Sequence, residues 1–150
     1  MRYKTVKIMT LRVCESNPGQ KRATVHHAGD VKEILTGFFT SVQDDQERLV
    51  ILNLDNKNHV LGLNVVHVGG QNYSGVDLAC VFRHVLVSGG EAFIVAHNHP
   101  GGDPNPSQED KTTANILILG AKTVGLRLLD FIIIGDETGD MFSFCEQGLL

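Results

Sequence analysis

Residues 92–110 constrain the fold more than any other stretch. Ala92-Phe-Ile-Val-Ala96 is an unbroken apolar run, which suits a strand covered on both faces. It leads into His97-Asn-His-Pro-Gly-Gly-Asp-Pro-Asn-Pro-Ser-Gln-Glu-Asp110. There Pro100, Gly101, Gly102, Pro104 and Pro106 exclude regular structure and predict a rigid loop. Ser107, with the acidic Asp110 three residues on, has the pattern of a helix N-cap, so a helix is expected from Ser107 to about Gly120. Side chains at i and i+2 of a strand share a face, which lets His97 and His99 converge on one point. Asp110 arrives as a third possible ligand at the first turn of the helix. Two His and one carboxylate leave one position of a tetrahedral Zn²⁺ open for water, the catalytic rather than the structural arrangement. Fe²⁺ or Mn²⁺ would tolerate the same set. Taken singly, each residue has a structural reading, as a hydrogen-bonded strand-end His or a helix cap. The combination is what is specific: His-x-His, seven residues, Ser, two residues, Asp.

The 150 residues suit one domain, with 1–29 as an N-terminal strand and mobile turn and 30–150 as the motif-bearing core. A net charge of −4 and the lack of a Lys/Arg-rich arm count against binding to nucleic-acid phosphates as the main activity. Cys14, Cys80 and Cys145 form no CxxC pair and lie away from the His cluster; they read as reduced, mostly buried thiols of a cytoplasmic protein. The N-terminus lacks the apolar core of a signal peptide, and no run approaches the ~20 apolar residues that span a bilayer. No membrane association is expected, and nothing in the pattern sets an oligomeric state.

Residues 3–13 alternate apolar with polar as a half-buried strand, and Glu15-Ser-Asn-Pro-Gly-Gln-Lys-Arg22 is turn chemistry. A helix is expected from Asp30, with Glu33 as capping-box partner and Val31, Ile34, Leu35, Phe38 and Phe39 facing a core. Arg48–Leu54 and His59–Val68 read as the strands of a hairpin turning at Asp55-Asn-Lys-Asn58. Ser74 is the expected cap of a second helix with Val76, Cys80, Val81, Val85 and Leu86 on its inner side, stopped by Gly89-Gly90. In the helix after Ser107, Ile116, Leu117 and Leu119 are expected inward. Leu126–Ile134 reads as a central strand and Met141–Phe144 as a short closing one. Alternation of strands and helices after the hairpin argues for an α/β fold with a mixed sheet flanked by helices.

The His97–Asp110 pattern resembles the JAMM motif of the JAB (MPN) domain metallohydrolases. Its wording, His97-Asn-His-Pro and Asp103-Pro-Asn-Pro-Ser-Gln-Glu-Asp110, resembles the bacterial RadC group in particular. The similarity continues through Leu128-Leu129-Asp130, Ser143-Phe144, Glu146 and the final Gly148-Leu-Leu, and covers roughly residues 30–150. It implies a three-layer α/β/α sandwich like that of the cytidine deaminases. It also implies a zinc-dependent hydrolase that cleaves peptide or isopeptide bonds with a metal-activated water. His97, His99 and Asp110 would be the metal ligands. Glu47, at the start of the first hairpin strand and so at a sheet end, would be the general base and then acid; spacing alone favours reading it as a solvated acid in Asp44-Asp-Gln-Glu47. Ser107 would stabilise the developing oxyanion. Asp103 is read as fixing its own turn. His26, His27, His59, His67 and His84 have no partner at ligand spacing, and the adjacent His26-His27 pair is expected to be exposed.

The chain departs from the RadC pattern in three places. Leu78-Ala79-Cys80 stands where Pro-Arg-Glu is usual, Phe131 stands where His is usual, and the helix-hairpin-helix segment often found ahead of the domain does not appear. A non-catalytic interaction domain associated with DNA repair or replication complexes is the alternative, yet scaffolding JAB domains commonly lack motif residues that are all present here. Deamination, which the shared fold brings to mind, needs His-x-Glu and Pro-Cys-x-x-Cys, and the chain has neither.

Overall fold

The structure is a computed structural model that describes residues 22–42, 45–69 and 76–150. The strand expected over 3–13, most of the turn after it and the expected cap Ser74 lie outside the described residues. Strands β1 (Arg48–Leu54), β2 (Val60–Val68), β3 (Ala92–His99), β4 (Arg127–Gly135) and β5 (Met141–Ser143) form one sheet in the order β2-β1-β3-β4-β5. β3 runs parallel to β4 and antiparallel to β1, and the outer pairs are antiparallel, so the sheet is mixed. Helix α1 (Ala28–Val42) covers one face, and α2 (Leu78–Ser88) and α3 (Gln108–Val124) cover the other. The result is the expected α/β/α sandwich.

Two apolar cores follow from the two-residue alternation of the central strands. Val50, Leu52, Ile94, Ala96, Ile132 and Ile134 meet Val31, Leu35 and Phe39 of α1. Leu49, Ile51, Phe93, Val95, Phe131 and Ile133 meet Val81, Phe82 and Val85 of α2 and Ala114, Leu117 and Ala121 of α3. Between these helices Gly120 is a spacer, since a Cβ there would come within 2.6 Å of the Phe82 ring. Ahead of α1, Val25 is buried in the first core, and Thr24 bridges to His59 of the hairpin. The chain therefore joins the sandwich before its first helix.

Several local expectations are corrected. α1 begins at Ala28, not Asp30. The Asp30 carboxylate accepts from the backbone N–H groups of His26 (2.8 Å) and His27 (3.2 Å), while the Asp30 N–H donates to His27 Nδ1 (3.3 Å). An imidazole thus serves as cap and Asp30 as its capping-box partner. α2 is capped by Asp77, which accepts from Ala79 N–H and Cys80 N–H. Leu86, Ile116 and Leu119 point outward, at 56%, 44% and 67% exposure. In both helices the apolar residues exceed one stripe, and the smaller Ala114 and Ala121 set the phase in α3. Cys80 is half-buried and Cys145 exposed, so these two thiols are more open than expected. α3 runs four residues past Gly120, to Val124, and ends at Gly125 in the left-handed region (φ 75°). Among the described residues no helix is long and apolar enough to cross a membrane.

A buried carboxylate ties the closing strand to the sheet. Asp130 accepts from Phe131 N–H (2.8 Å), Cys145 N–H (2.9 Å) and the Ser143 hydroxyl (2.5 Å). Burial pushes its carboxyl above the usual range despite those donors. Because the folded chain holds this proton more tightly than the unfolded one, the associated stability is full below about pH 3.9 and is lost as pH rises through the raised value. Asp130→Asn should remove this contribution: in urea unfolding from pH 4 to 7, the wild type should lose stability relative to the Asn variant as pH rises. Asp130→Ala, which orphans two N–H groups and a hydroxyl, should cost about 2–4 kcal/mol at any pH in that series.

Candidate metal centre

β3 is hydrogen-bonded on both sides, and its register aligns Leu49 of β1 with His97 and Gly135 of β4 with His99. Its alternation sends His97 and His99 to the face that carries α2 and α3, and Asn98 to the opposite face. The two imidazole centroids lie 4.8 Å apart. His97 is 1% exposed and packs edge-on against Phe131, with centroids 5.5 Å apart. Phe131, a departure from the RadC pattern, thus backs a site ring with an apolar edge.

The loop after His99 is stapled at several points. Gly102 N–H and Asp136 N–H both donate to the His99 carbonyl (3.0 and 3.1 Å), and the Thr138 hydroxyl donates to the Gly102 carbonyl (3.0 Å). Gly135 is required for this closure, because a Cβ would fall 2.0 Å from the Gly102 oxygen. Within the loop, Asp103 accepts from Asn105 N–H and Nδ2 through Oδ1, as expected of a turn-fixing acid. Its carbonyl lies 2.6 Å from His99 Nδ1. A carbonyl only accepts, so Nδ1 donates to it, and Nε2 is the ring nitrogen turned toward Asp110 and the one placed to bind a metal.

Asp110 is delivered by the start of α3. Ser107 is the N-cap: its hydroxyl oxygen accepts from Asp110 N–H (3.1 Å), and its backbone N–H donates to Asp110 Oδ2 (2.8 Å). The Ser107 hydroxyl also donates to Asp110 Oδ2, at 2.6 Å. Asp110 Oδ1 lies 3.4 Å from His97 Nε2, and Oδ2 lies 3.7 Å from His99 Nε2. Glu47, just ahead of β1, places Oε1 3.2 Å from His97 Nδ1. Ligand atoms of Glu47, His97 and His99 all lie within 4.8 Å of one another.

All five residues singled out from the sequence therefore meet at one end of the sheet. Burial raises the Asp110 carboxyl, but the facing His99 and His97 rings and the Ser107 donors outweigh it and hold the group well below the usual carboxylate range. His99 is raised above its ordinary value, chiefly by the facing Asp110 carboxylate, with burial working against it. The site is thus an ionised, partly buried carboxylate facing two imidazoles. In a tetrahedral zinc site with bonds of about 2.0–2.1 Å, neighbouring ligand atoms are about 3.3–3.4 Å apart. The His97 Nε2–Asp110 Oδ1 separation of 3.4 Å matches that spacing, and the His99 Nε2–Asp110 Oδ2 separation of 3.7 Å is somewhat longer. A cleft of about 450 Å³ opens beside it, lined in part by Asp45, Glu47, His99, Asp103 and Asn105.

The other histidines lie apart from this group. His26 and His27 are exposed, His59 pairs with Asp55 in the hairpin turn (2.9 Å), and His84 donates from Nδ1 to the Cys80 carbonyl (2.7 Å). Leu78, in the other substituted segment, lines a groove with Val76, Thr112 and Ile116. Asn98 carries no ligand signal of its own in the sequence, and its placement opposite the two His follows from the same alternation that pairs them.

The sequence profile of the RadC-like JAB domain matches residues 25–149. The chain is 43% identical over 92 residues to a UPF0758 protein of Carboxydothermus hydrogenoformans, covering 61% of this chain and 41% of that one. A UPF0758 protein of Methanosarcina mazei is 37% identical over 120 residues, 79% of this chain and 52% of its own. One from Methanococcoides burtonii is 34% identical over 140 residues, 93% of this chain and 58% of its own. The chain spans about half the length of these curated relatives. With the JAMM residues gathered at one sheet end and the profile matched over nearly the whole described core, the chain belongs to the RadC-like JAB domain family.

Proposed function

We propose that this domain is a zinc-dependent hydrolase of peptide or isopeptide bonds, with His97, His99 and Asp110 as metal ligands. The observation that carries the proposal is the buried, ionised Asp110 carboxylate facing both imidazoles at 3.4 and 3.7 Å. Membership of the JAB family and a His/His/Glu group able to hold a metal ion support metal-dependent hydrolysis in general. Zinc, when bound, supplies Lewis acidity that brings the pKa of water from ~15.7 to ~7.

Glu47 is the more exposed of the two carboxylates, with 21% side-chain exposure against 11% for Asp110. It opens onto the cleft, while Asp110 is fixed by its cap. Asp110 therefore suits a ligand and Glu47 a general base, which takes a proton from the attacking water and passes it to the departing nitrogen. Asp45, Glu47 and Asp103 make the cleft wall acidic, and none of its described lining residues is Lys or Arg. Such a wall disfavours a phosphate backbone and leaves an amide as the better-matched substrate.

The Ser107 hydroxyl is committed to Asp110, as donor through its proton and as cap through its oxygen. Its best-supported role is to hold the Asp110 carboxylate, and stabilising an oxyanion would require it to leave that bond. Ser107→Ala separates the two. A holding role predicts zinc affinity weaker by about 10–100-fold, with about 1 kcal/mol of helix capping lost. An oxyanion role predicts unchanged zinc affinity and kcat lower by about 10²–10³.

Metal analysis of the wild type should find one zinc per chain, retained in Glu47→Gln and lost in Asp110→Asn. Loss in Glu47→Gln with retention in Asp110→Asn would make Glu47 the third ligand. Against a mixture of peptides and ubiquitin-like isopeptide conjugates, zinc-loaded wild type should release amines, and Glu47→Gln should be slower by about 10²–10⁴-fold. Zinc-loaded protein inert toward every amide in the mixture overturns the hydrolase reading.

A further inference from the structure

We infer that Asn98, the residue between the two histidines, is a positioning residue that sets the general base Glu47. The inference rests on the role proposed above for Glu47. Asn98 is 3% exposed and lies on the α1 face of β3, away from the metal ligands. The β1–β3 ladder ends at Leu49 and His97, and Arg48 and Asn98 are the next positions along it. There the side-chain amide takes over from the backbone. Its Oδ1 accepts from Arg48 N–H (2.7 Å), and its Nδ2 donates to the Gln46 carbonyl (3.1 Å).

The Gln46 carbonyl belongs to the peptide unit before the Glu47 Cα, and the Arg48 N–H to the one after it. One buried amide therefore grips both peptide planes that flank Glu47 and fixes the φ and ψ from which its side chain projects. Gly69 N–H holds the second plane from the other side by donating to the Glu47 carbonyl (3.1 Å). Asp136, after β4, accepts a second bond from Asn98 Nδ2 (2.5 Å), which sets which way round the amide sits. The Asp136 N–H also binds the His99 carbonyl, so the same turn steadies a metal ligand and the clamp on the base.

A side chain that merely filled this space would leave the Gln46 carbonyl and the Arg48 N–H without these partners. A hydrocarbon of similar volume is therefore no substitute. Small displacements of a base matter because proton transfer needs heavy atoms within about 2.6–3.2 Å or one bridging water.

The test compares Asn98→Ala, Asp136→Ala and Glu47→Gln with the wild type. Its probes are zinc, acetohydroxamate bound to the zinc-loaded protein, and amide hydrogen exchange at Arg48. A hydroxamate chelates zinc and shares its hydroxyl proton with an adjacent carboxylate, so it reads the placement of Glu47 without a known substrate. Expected for Asn98→Ala are retained zinc at one per chain and faster exchange at Arg48. Acetohydroxamate should bind about tenfold more weakly, approaching Glu47→Gln. Asp136 is exposed, and its variant should show the same direction with a smaller effect. On any peptide cleaved by the wild type, the loss should fall on kcat with KM unchanged.

Wild-type acetohydroxamate affinity and Arg48 protection in Asn98→Ala would overturn the inference, as would parallel loss of zinc, which would make Asn98 a support for the whole strand end. Should Asn98→Ala not fold, wild-type acetohydroxamate affinity in Asp136→Ala overturns it. Absence of zinc from the wild type would instead sink the metal reading, and exchange at Arg48 in Asp136→Ala would still decide whether the clamp exists.

Discussion

Side-chain alternation along β3 is the constraint on which the site depends. The strand is paired on both sides and covered on both faces, so residues 92–96 can only be apolar. Polar chemistry is admitted only where the strand runs out, and there the same period of two gives the site its division of labour. His97 and His99 turn to the face where α3 begins, and Asn98 turns to the face where β1 and the β4–β5 turn can be gripped. A one-residue slip of β3 would exchange those roles and bury the wrong groups on both faces. The register of the central strand and the placement of the site are one fact.

The helix start supplies what the strand cannot. A carboxylate on a strand facing two imidazoles would be free to rotate toward solvent. At the third position of α3, Asp110 is held by the Ser107 backbone and hydroxyl and lies where the helix macrodipole favours negative charge. Against the cost of burial, the facing His99 and His97 rings, and after them these donors, keep the carboxylate ionised while Asp110 is 8% exposed. An ionised, partly buried carboxylate needs cationic compensation. The facing imidazoles provide some of it, and a metal ion at the same place would provide the rest.

Much of this was legible in the sequence because short-range chemistry determined it. The Pro- and Gly-rich loop, the Ser107 cap, the hairpin turn and the spacing of the two His each follow from residues within about ten positions. What escaped depended on distance or on excess. Helical periodicity could not choose the inner face of α3, because Ile116, Leu117, Ile118 and Leu119 offer apolar atoms all round. The buried Asn53–Asn64 bond (2.8 Å) joins two strands otherwise read as apolar. Asn98 carries no short-range mark because its partners lie 38 and about 50 residues away. Glu47 needed the family pattern to stand out, since an acid beside Asp44 and Asp45 carries no local mark.

The substitution of Phe131 shows how far the support of the site extends. His97 rests edge-on against Phe131, Phe131 against Phe144 at 5.0 Å, and Phe144 against Phe142 at 5.3 Å. A file of T-shaped contacts thus leads from a metal-site ring to the closing strand β5. Each such pair adds about 0.5–1.5 kcal/mol beyond area burial, and each also fixes the orientation of the next ring. The outer end of the file is held by β5, and β5 is held by the bonds from Ser143 and Cys145 to the buried Asp130. The orientation of His97 is therefore set by packing on this side, where a histidine at 131 would offer a hydrogen bond. Packing is less directional than a hydrogen bond, so here the closing strand and its buried carboxylate share in orienting the imidazole, although neither touches the site.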